Sequence, residues 1–212
     1  MKDDIKNIEQ YIAKVKPAVT QTFNLIESYL DLLRYPKRPG YKSEEQRKKL
    51  EPTINERLRR DDEYVENLYS KRFLAGSIIQ FAFAGIERFS SPKKIPDNYK
   101  TIPKIKNAAK FIIGREIDEI HIGLIIYIGR NQWAHHWDKE LREPNISLFN
   151  KLANWYSPTY KKYFVNSFYD LTNESVEIFA SNLLYLLGWQ KFEDFEKDMS
   201  EMLKDFSTTS KT

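Results

Sequence analysis

Apolar residues recur at steps of three and four from the start of the chain: Ile5, Ile8, Ile12, Val15, Val19, Phe23, Ile26, Leu30 and Leu33. That spacing draws one stripe along a helix, because a helical turn takes 3.6 residues. Pro17 lies off the stripe and removes one backbone hydrogen bond, which predicts a kink or a break there. Tyr35-Pro36-Lys37-Arg38-Pro39-Gly40 ends this first helix. Ser43-Glu44-Glu45-Gln46 has the form of a capping box, so a short basic helix is expected to follow. A second long stripe, Val65, Leu68, Ala75, Ile79, Ala82, Ile86 and Phe89, stops at Ser90-Ser91-Pro92, and residues 91–103 read as a loop.

The most apolar stretch runs from Ile117 to Trp133 and is apolar nearly all round between Ile122 and Ile128, which implies a buried central element. Ile125-Ile126 beside Gly123 and Gly129 would suit a strand. The helical spacing of Ile117, Ile120, Leu124 and Ile128 and the length of the stretch favour a helix over about 115–137. Pro144-Asn145 opens a short helix with Ile146, Phe149, Leu152, Ala153 and Tyr156, closed by Ser157-Pro158. Thr172 or Asn173 caps another, with Val176, Phe179, Ala180, Leu183, Leu184 and Leu187 inward and Gly188 as its terminating residue. A terminal amphipathic helix carries Trp189, Phe192, Phe195, Met199, Met202 and Phe206, and 207–212 form a disordered tail. Without a repeat, a Gly-rich phosphate loop or an alternating strand pair, the pattern predicts an all-α fold with a single helical domain over 1–206.

Composition narrows the chemistry. Hydrophobic residues make up 41% and charged residues 30% of the 212, which is neither a disordered nor a membrane composition. The absence of cysteine removes disulfides, thiolate metal sites and cysteine nucleophiles. No leader-like segment or membrane span of ~18 apolar residues is visible, so a cytoplasmic protein without membrane contact is expected. The net charge of +4 is unevenly spread. Ten basic residues between Arg34 and Arg60 meet four glutamates, and the seven between Lys93 and Arg115 meet only Asp97, whereas the C-terminal part leans acidic. Such runs most often form solvated helix faces, and they are compatible with a polyanionic partner.

Two of the three histidines are adjacent, in Arg130-Asn131-Gln132-Trp133-Ala134-His135-His136, directly after the apolar helix. Imidazole exchanges protons near neutral pH, and guanidinium offers a permanent charge and a fork matched to phosphate oxygens. Together they suit phosphodiester chemistry without a metal. Asn131 and His135, four apart, share a helical face. Arg130 lies roughly 140° around an ideal helix from His135, so convergence requires its long side chain to wrap or the helix to loosen near Trp133. Gly129 would permit that loosening or the close approach of another helix. A metal site from His135, His136 and Asp138 is disfavoured, since adjacent histidines point to different faces; no metal or cofactor is expected. His121 reads as structural, and Trp133 and Trp137 as packing residues that could instead stack on a base. Ser90 and Ser91 have no base partner in view.

Arg130-Asn131-x-x-x-His135 resembles the Arg-x4-6-His motif of HEPN domains (higher eukaryotes and prokaryotes nucleotide-binding), and His136 also fits the permitted spacing. The string is similar to that of abortive-infection members, and the close resemblance covers about Ile117 to Asp138. It implies a helical bundle of HEPN type with additional N- and C-terminal helices. It further implies a metal-independent endoribonuclease, a hydrolase of the toxin–antitoxin or antiviral defence kind, working on RNA as a homodimer with a composite site. Arg130 would bind the scissile phosphate, Asn131 would position it or the histidine, and His135 would be general acid or base, with His136 as understudy. Family members often carry a polar or acidic residue on an earlier core helix facing the motif, for which Glu87 is the candidate. An alternative is an inactive HEPN-like module that binds nucleotide, RNA or a protein partner such as an antitoxin or a nucleotidyltransferase.

Overall fold

The computed structural model describes residues 5–31, 44–137, 141–157, 159–173 and 177–204, with the backbone alone for 29–31, 44–58, 60–66 and 155–157. Helix α1 (Ile8–Asp31) buries Ile8, Ile12, Val15, Val19 and Phe23, the predicted stripe; Leu33 lies outside the described residues. It continues through Pro17 instead of breaking there. The carbonyl that the proline ring orphans belongs to Ala13, and both residues are exposed, so water can satisfy it.

α2 (Glu44–Phe89) is one helix of 46 residues where the sequence predicted a short basic helix and then a second one. The polar stretch 56–60 between the two parts, Glu56-Arg57-Leu58-Arg59-Arg60, consists of good helix formers, whose intrinsic propensity carries the helix on where the apolar stripe fades. Its second half buries Ala75, Ile78, Ile79, Ala82 and Ile86 completely. Ser43, the cap of the predicted box, lies outside the described residues, as do the predicted terminator 35–40 and the basic residues Arg34, Lys37, Arg38 and Lys42.

The predicted central helix is present but shorter. Residues Glu116–Ile117 (β1) and Ile120–His121 (β2) pair antiparallel, and α3 spans Ile122–Ala134 instead of 115–137. Asp118 and Glu119 take positive φ values of 48° and 58°, the paired left-handed conformation that closes a two-residue hairpin. Ile122, Leu124, Ile125, Ile126 and Ile128 on α3 are fully buried. Gly129 serves close approach: a Cβ there would stand 2.7 Å from Leu183 Cδ1 and 3.2 Å from Ile79 Cδ1.

α4 (Asn145–Ala153) ends before Tyr156, because the chain turns into a strand pair that the sequence pattern did not predict. β3 (Asn154–Ser157) runs antiparallel to β4 (Lys162–Val165), with Asn154 opposite Val165 and Ser157 opposite Lys162. Trp155, Tyr156, Tyr163, Phe164 and Val165 are strand-favouring residues whose run is too short to show an alternation. The predicted stop Pro158 lies outside the described residues.

α5 (Ala180–Leu187) starts well after the predicted caps Thr172 and Asn173; Val176 is outside the described residues. Gly188, at φ 73°, ends it as predicted, with the N–H groups of Gly188 and Trp189 donating to the carbonyls of Tyr185 and Leu184. α6 (Phe192–Leu203) buries Phe192, Phe195, Met199 and Met202, and its Asp194 carboxylate accepts the N–H groups of Gln190 and Lys191 at 3.0 and 3.2 Å. Phe206 and the tail 207–212 lie outside the described residues.

The fold is therefore of the all-α class with two small hairpins. α2 is the hub, packed against α1, α3, α5 and α6, while α3 also touches α4 and α5. Burying α3 on several sides leaves its C-terminal end as the part that reaches the surface. Among the described residues no helix is long and apolar enough to cross a membrane.

Candidate active site at the end of α3

Helix α3 runs out at Ala134. His135 is its C-cap, with its N–H donating to the Asn131 carbonyl at 3.1 Å, so the motif straddles the last turn and the exit. The end of α3 is seated on α2 through Trp133, whose indole lies over Gly76 and makes an edge contact with Phe73 at 6.2 Å between ring centres.

Four side chains tie α2, α3 and the start of α4 into one polar chain. Arg130 Nε donates to Gln80 Oε1 at 3.1 Å, and its Nη1 donates to Asn131 Oδ1 at 3.2 Å. Asn131 Nδ2 donates to Asn145 Oδ1 at 3.2 Å, and Asn145 Nδ2 donates to the Arg142 carbonyl at 2.8 Å. The Arg130 guanidinium also lies 4.9 Å from the centre of the Phe83 ring, a favourable cation–π placement. Only its Nη2 is left without a partner among the described residues.

Beside this chain opens a cleft of about 630 Å³, lined by Tyr127, Asn131, His135, Arg142, Glu143 and Asn145 among others. His135 is exposed there. Glu143 Oε2 accepts the Ser147 N–H at 3.2 Å, which places the carboxylate at the N-terminus of α4, where a negative charge is favoured. Arg142 is exposed, and its guanidinium has no protein partner among the described residues. Asn107, which falls within the second basic run, also lines the cleft.

Of the predicted site residues, Asn131 and His135 share the cleft. Arg130 stands behind Asn131 and is not among the lining residues. His136 is turned the other way: its ring meets Phe73 edge-on at 5.2 Å, and its Nδ1 lies 2.7 Å from the Trp133 carbonyl. The carbonyl can only accept, so Nδ1 carries a proton there, and the buried Nε2 has no hydrogen-bond partner among the described residues. His136 in this seat is a packing residue. Glu87 is likewise placed elsewhere, exposed and paired with Lys110 Nζ at 3.0 Å; from α2 it is Gln80 that hydrogen-bonds the motif.

Sequence reasoning missed Gln80, Arg142, Glu143 and Asn145. Gln80 precedes Glu87 by seven residues, about two turns on nearly the same face, so helical spacing could have found it. Arg142-Glu143 before the Pro144 helix start gave no comparable signal. Asp138, the third member of the disfavoured metal set, lies outside the described residues; His135 and His136 diverge. His121 is structural, with Nδ1 at 2.9 Å from the Gly114 carbonyl and Nε2 at 3.3 Å from Glu116 Oε1. Trp137 is 71% exposed and leans on His136 at 4.1 Å between ring centres.

No family model, no curated protein and no solved structure matches this chain.

Proposed function

We propose that the chain is a metal-independent endoribonuclease of HEPN type, a toxin or antiphage effector acting as a homodimer. The observation that supports it is that Asn131 and His135 line one open cleft together with the exposed guanidinium of Arg142, which has no partner among the described residues, and an anchored carboxylate, Glu143. RNA cleavage of this kind needs a base to take the ribose 2′-hydroxyl proton, an acid to protonate the departing 5′ oxygen, and cations for the phosphate. The 2′ oxygen attacks phosphorus, the bond from phosphorus to the 5′ oxygen breaks, and a 2′,3′-cyclic phosphate and a 5′-hydroxyl result. His135 is the acid or base and Asn131 positions the phosphate. Arg130 orients Asn131 and offers Nη2, and Arg142 supplies charge at the rim. DNA lacks the nucleophile and is spared.

One observation favours a second reading. Arg130 is engaged by Gln80, Asn131 and Phe83, the arrangement of a residue that stabilises a binding surface rather than one that meets a phosphate first. An inactive module for nucleotide, RNA or a protein partner would use the same cleft. Incubation of the purified protein with labelled RNA in EDTA separates the two. Cleavage lost in Arg130→Ala and in His135→Ala supports the nuclease, and intact RNA at high protein concentration supports the binder.

A further inference from the structure

A second cleft, of about 420 Å³, opens between α2, α5 and the segment after β4. It falls in the size range of small-ligand sites, roughly 300–1,000 Å³. Its walls carry Phe168 and Tyr185, which are 63% and 81% exposed. Neither ring is stacked on another aromatic among the described residues, so each offers an open π-face to whatever enters. Lys71, Asn166, Ser181 and Asn182 supply the polar lining.

The two amides are held in fixed orientations by one residue. Asn166 Oδ1 accepts the Phe168 N–H at 3.0 Å, which leaves Nδ2 as its free donor. Asn182 Nδ2 donates to the Phe168 carbonyl at 2.8 Å, which leaves Oδ1 as its free acceptor. One donor and one acceptor beside two open rings match a planar heterocycle with an acceptor and a donor on its edge, as every nucleobase has. Lys71 is half-buried, and desolvation, with Arg72 beside it, holds its ammonium below the usual lysine range. The hairpin leading into the cleft interleaves bases and rings, Tyr160-Lys161-Lys162-Tyr163, with both tyrosines about 70% exposed at 69% and 72%. Interleaved aromatic and basic side chains are how proteins hold single strands, the bases stacking while the cations track phosphates.

We infer that this cleft is a second RNA-binding site, taking one unpaired base of a single strand against Phe168 and Tyr185, with its edge on Asn166 and Asn182. It rests on the ribonuclease reading only in naming RNA as the strand. Its role would be to hold substrate at a distance from His135, so it contributes binding and no chemistry.

The test is fluorescence anisotropy of a labelled single-stranded oligoribonucleotide in EDTA, measured on wild type, Phe168→Ala/Tyr185→Ala and Phe168→Trp/Tyr185→Trp, with circular dichroism to show that each is folded. Both rings are surface side chains, and Phe168→Trp/Tyr185→Trp, which keeps the π-faces, guards against a merely structural effect. The double alanine variant should weaken binding at least about ten-fold, as loss of base stacking does, while the tryptophan pair binds like wild type. A duplex of the same sequence should bind more weakly than the strand. Unchanged affinity in the double alanine variant, no binding by wild type, or a free mononucleotide competing as well as the strand would each overturn the site. Because cleavage is not read, a protein that never cuts RNA but loses binding with the two rings keeps this site and loses only the nuclease reading.

Discussion

Gly76 faces the indole of Trp133 so closely that a Cβ at position 76 would lie 2.2 Å from Trp133 Cδ1 and 2.3 Å from Nε1. Any side chain there must displace the tryptophan that seats the end of α3, and with it the turn carrying His135. Gly76→Ala should therefore destabilise the protein by about 1–3 kcal/mol through overpacking. The sign is informative, because glycine to alanine inside a helix stabilises by roughly 0.5–1 kcal/mol when nothing is in the way. Thermal unfolding followed by circular dichroism, with tryptophan fluorescence for the displaced indole, checks it; a raised Tm would refute the contact.

The amide pair Asn131 and Asn145 joins α3 to α4 across the floor of the cleft. Each also holds a second partner, Arg130 on one side and the Arg142 carbonyl on the other. Single alanine variants should each cost about 1 kcal/mol, the net value of a neutral hydrogen bond. Urea unfolding of both singles and the double should show that the effects do not add, with a coupling of about 0.5–1 kcal/mol. Strict additivity would mean that the bridge carries no energy.

What the sequence made legible was periodicity, and the structure follows it closely where a stripe is long. Ile8 to Phe23 on α1 and Ala75 to Ile86 on α2 bury the residues that the spacing picks out, and Gly188 ends α5 because only a residue at ease with positive φ fits there. Short-range geometry was less legible. Asp118-Glu119 closes a hairpin without the Asn-Gly signature, and tertiary packing evidently overrides what those two residues prefer alone. For the site, the motif lies at the end of α3, where Asn131 and His135 share a cleft. The partners beside it are Gln80 on α2, which helical spacing from Glu87 could have reached, and Arg142 to Asn145 before and in α4, whose contacts no periodic pattern encodes.

Asp198 on α6 is 4% exposed, yet its carboxylate accepts from Arg115 Nε and Nη2 at 3.0 and 2.9 Å and from Trp189 Nε1 at 2.8 Å. Arg115 continues to the Leu187 carbonyl at 2.6 Å, so one guanidinium fastens α6 and the end of α5 to the residue before β1. The carboxylate holds the Arg115 pKa above its ordinary value through these hydrogen bonds. Asp198→Ala should cost about 2–3 kcal/mol, below the full value of a sealed pair because the arginine is 45% exposed and can rehydrate. Asp198→Asn, which keeps the shape and one acceptor, should cost less than the alanine variant. Urea denaturation measures both, and equal losses would show that charge and hydrogen bonding at this carboxylate count for little.

Alkaline titration tests the packing of α1 on α2. The Tyr11 hydroxyl donates to the Phe81 carbonyl at 2.6 Å, and burial pushes its pKa up to about 12, with Arg88 pulling modestly the other way. A phenol whose folded pKa exceeds its unfolded value of about 10 favours the neutral, folded form. Its contribution is complete below pH about 10 and fades as the pH rises from there towards 12, because the unfolded chain gives up the proton first. Tyr99 and Tyr169 are raised by burial in the same direction, so removing Tyr11 should lessen the alkaline loss without ending it. Tyr11→Phe should be about 1 kcal/mol less stable than wild type at pH 8 for want of the hydrogen bond. Between pH 9 and pH 12 wild type should then lose about 2 kcal/mol more than the variant does, so that the two curves cross and the variant is the more stable by about 1 kcal/mol at pH 12. Unfolding free energies from urea titrations at pH 8, 9, 10, 11 and 12 decide the matter, and parallel curves across that range would mean that Tyr11 ionises as easily in the folded chain as in the unfolded one.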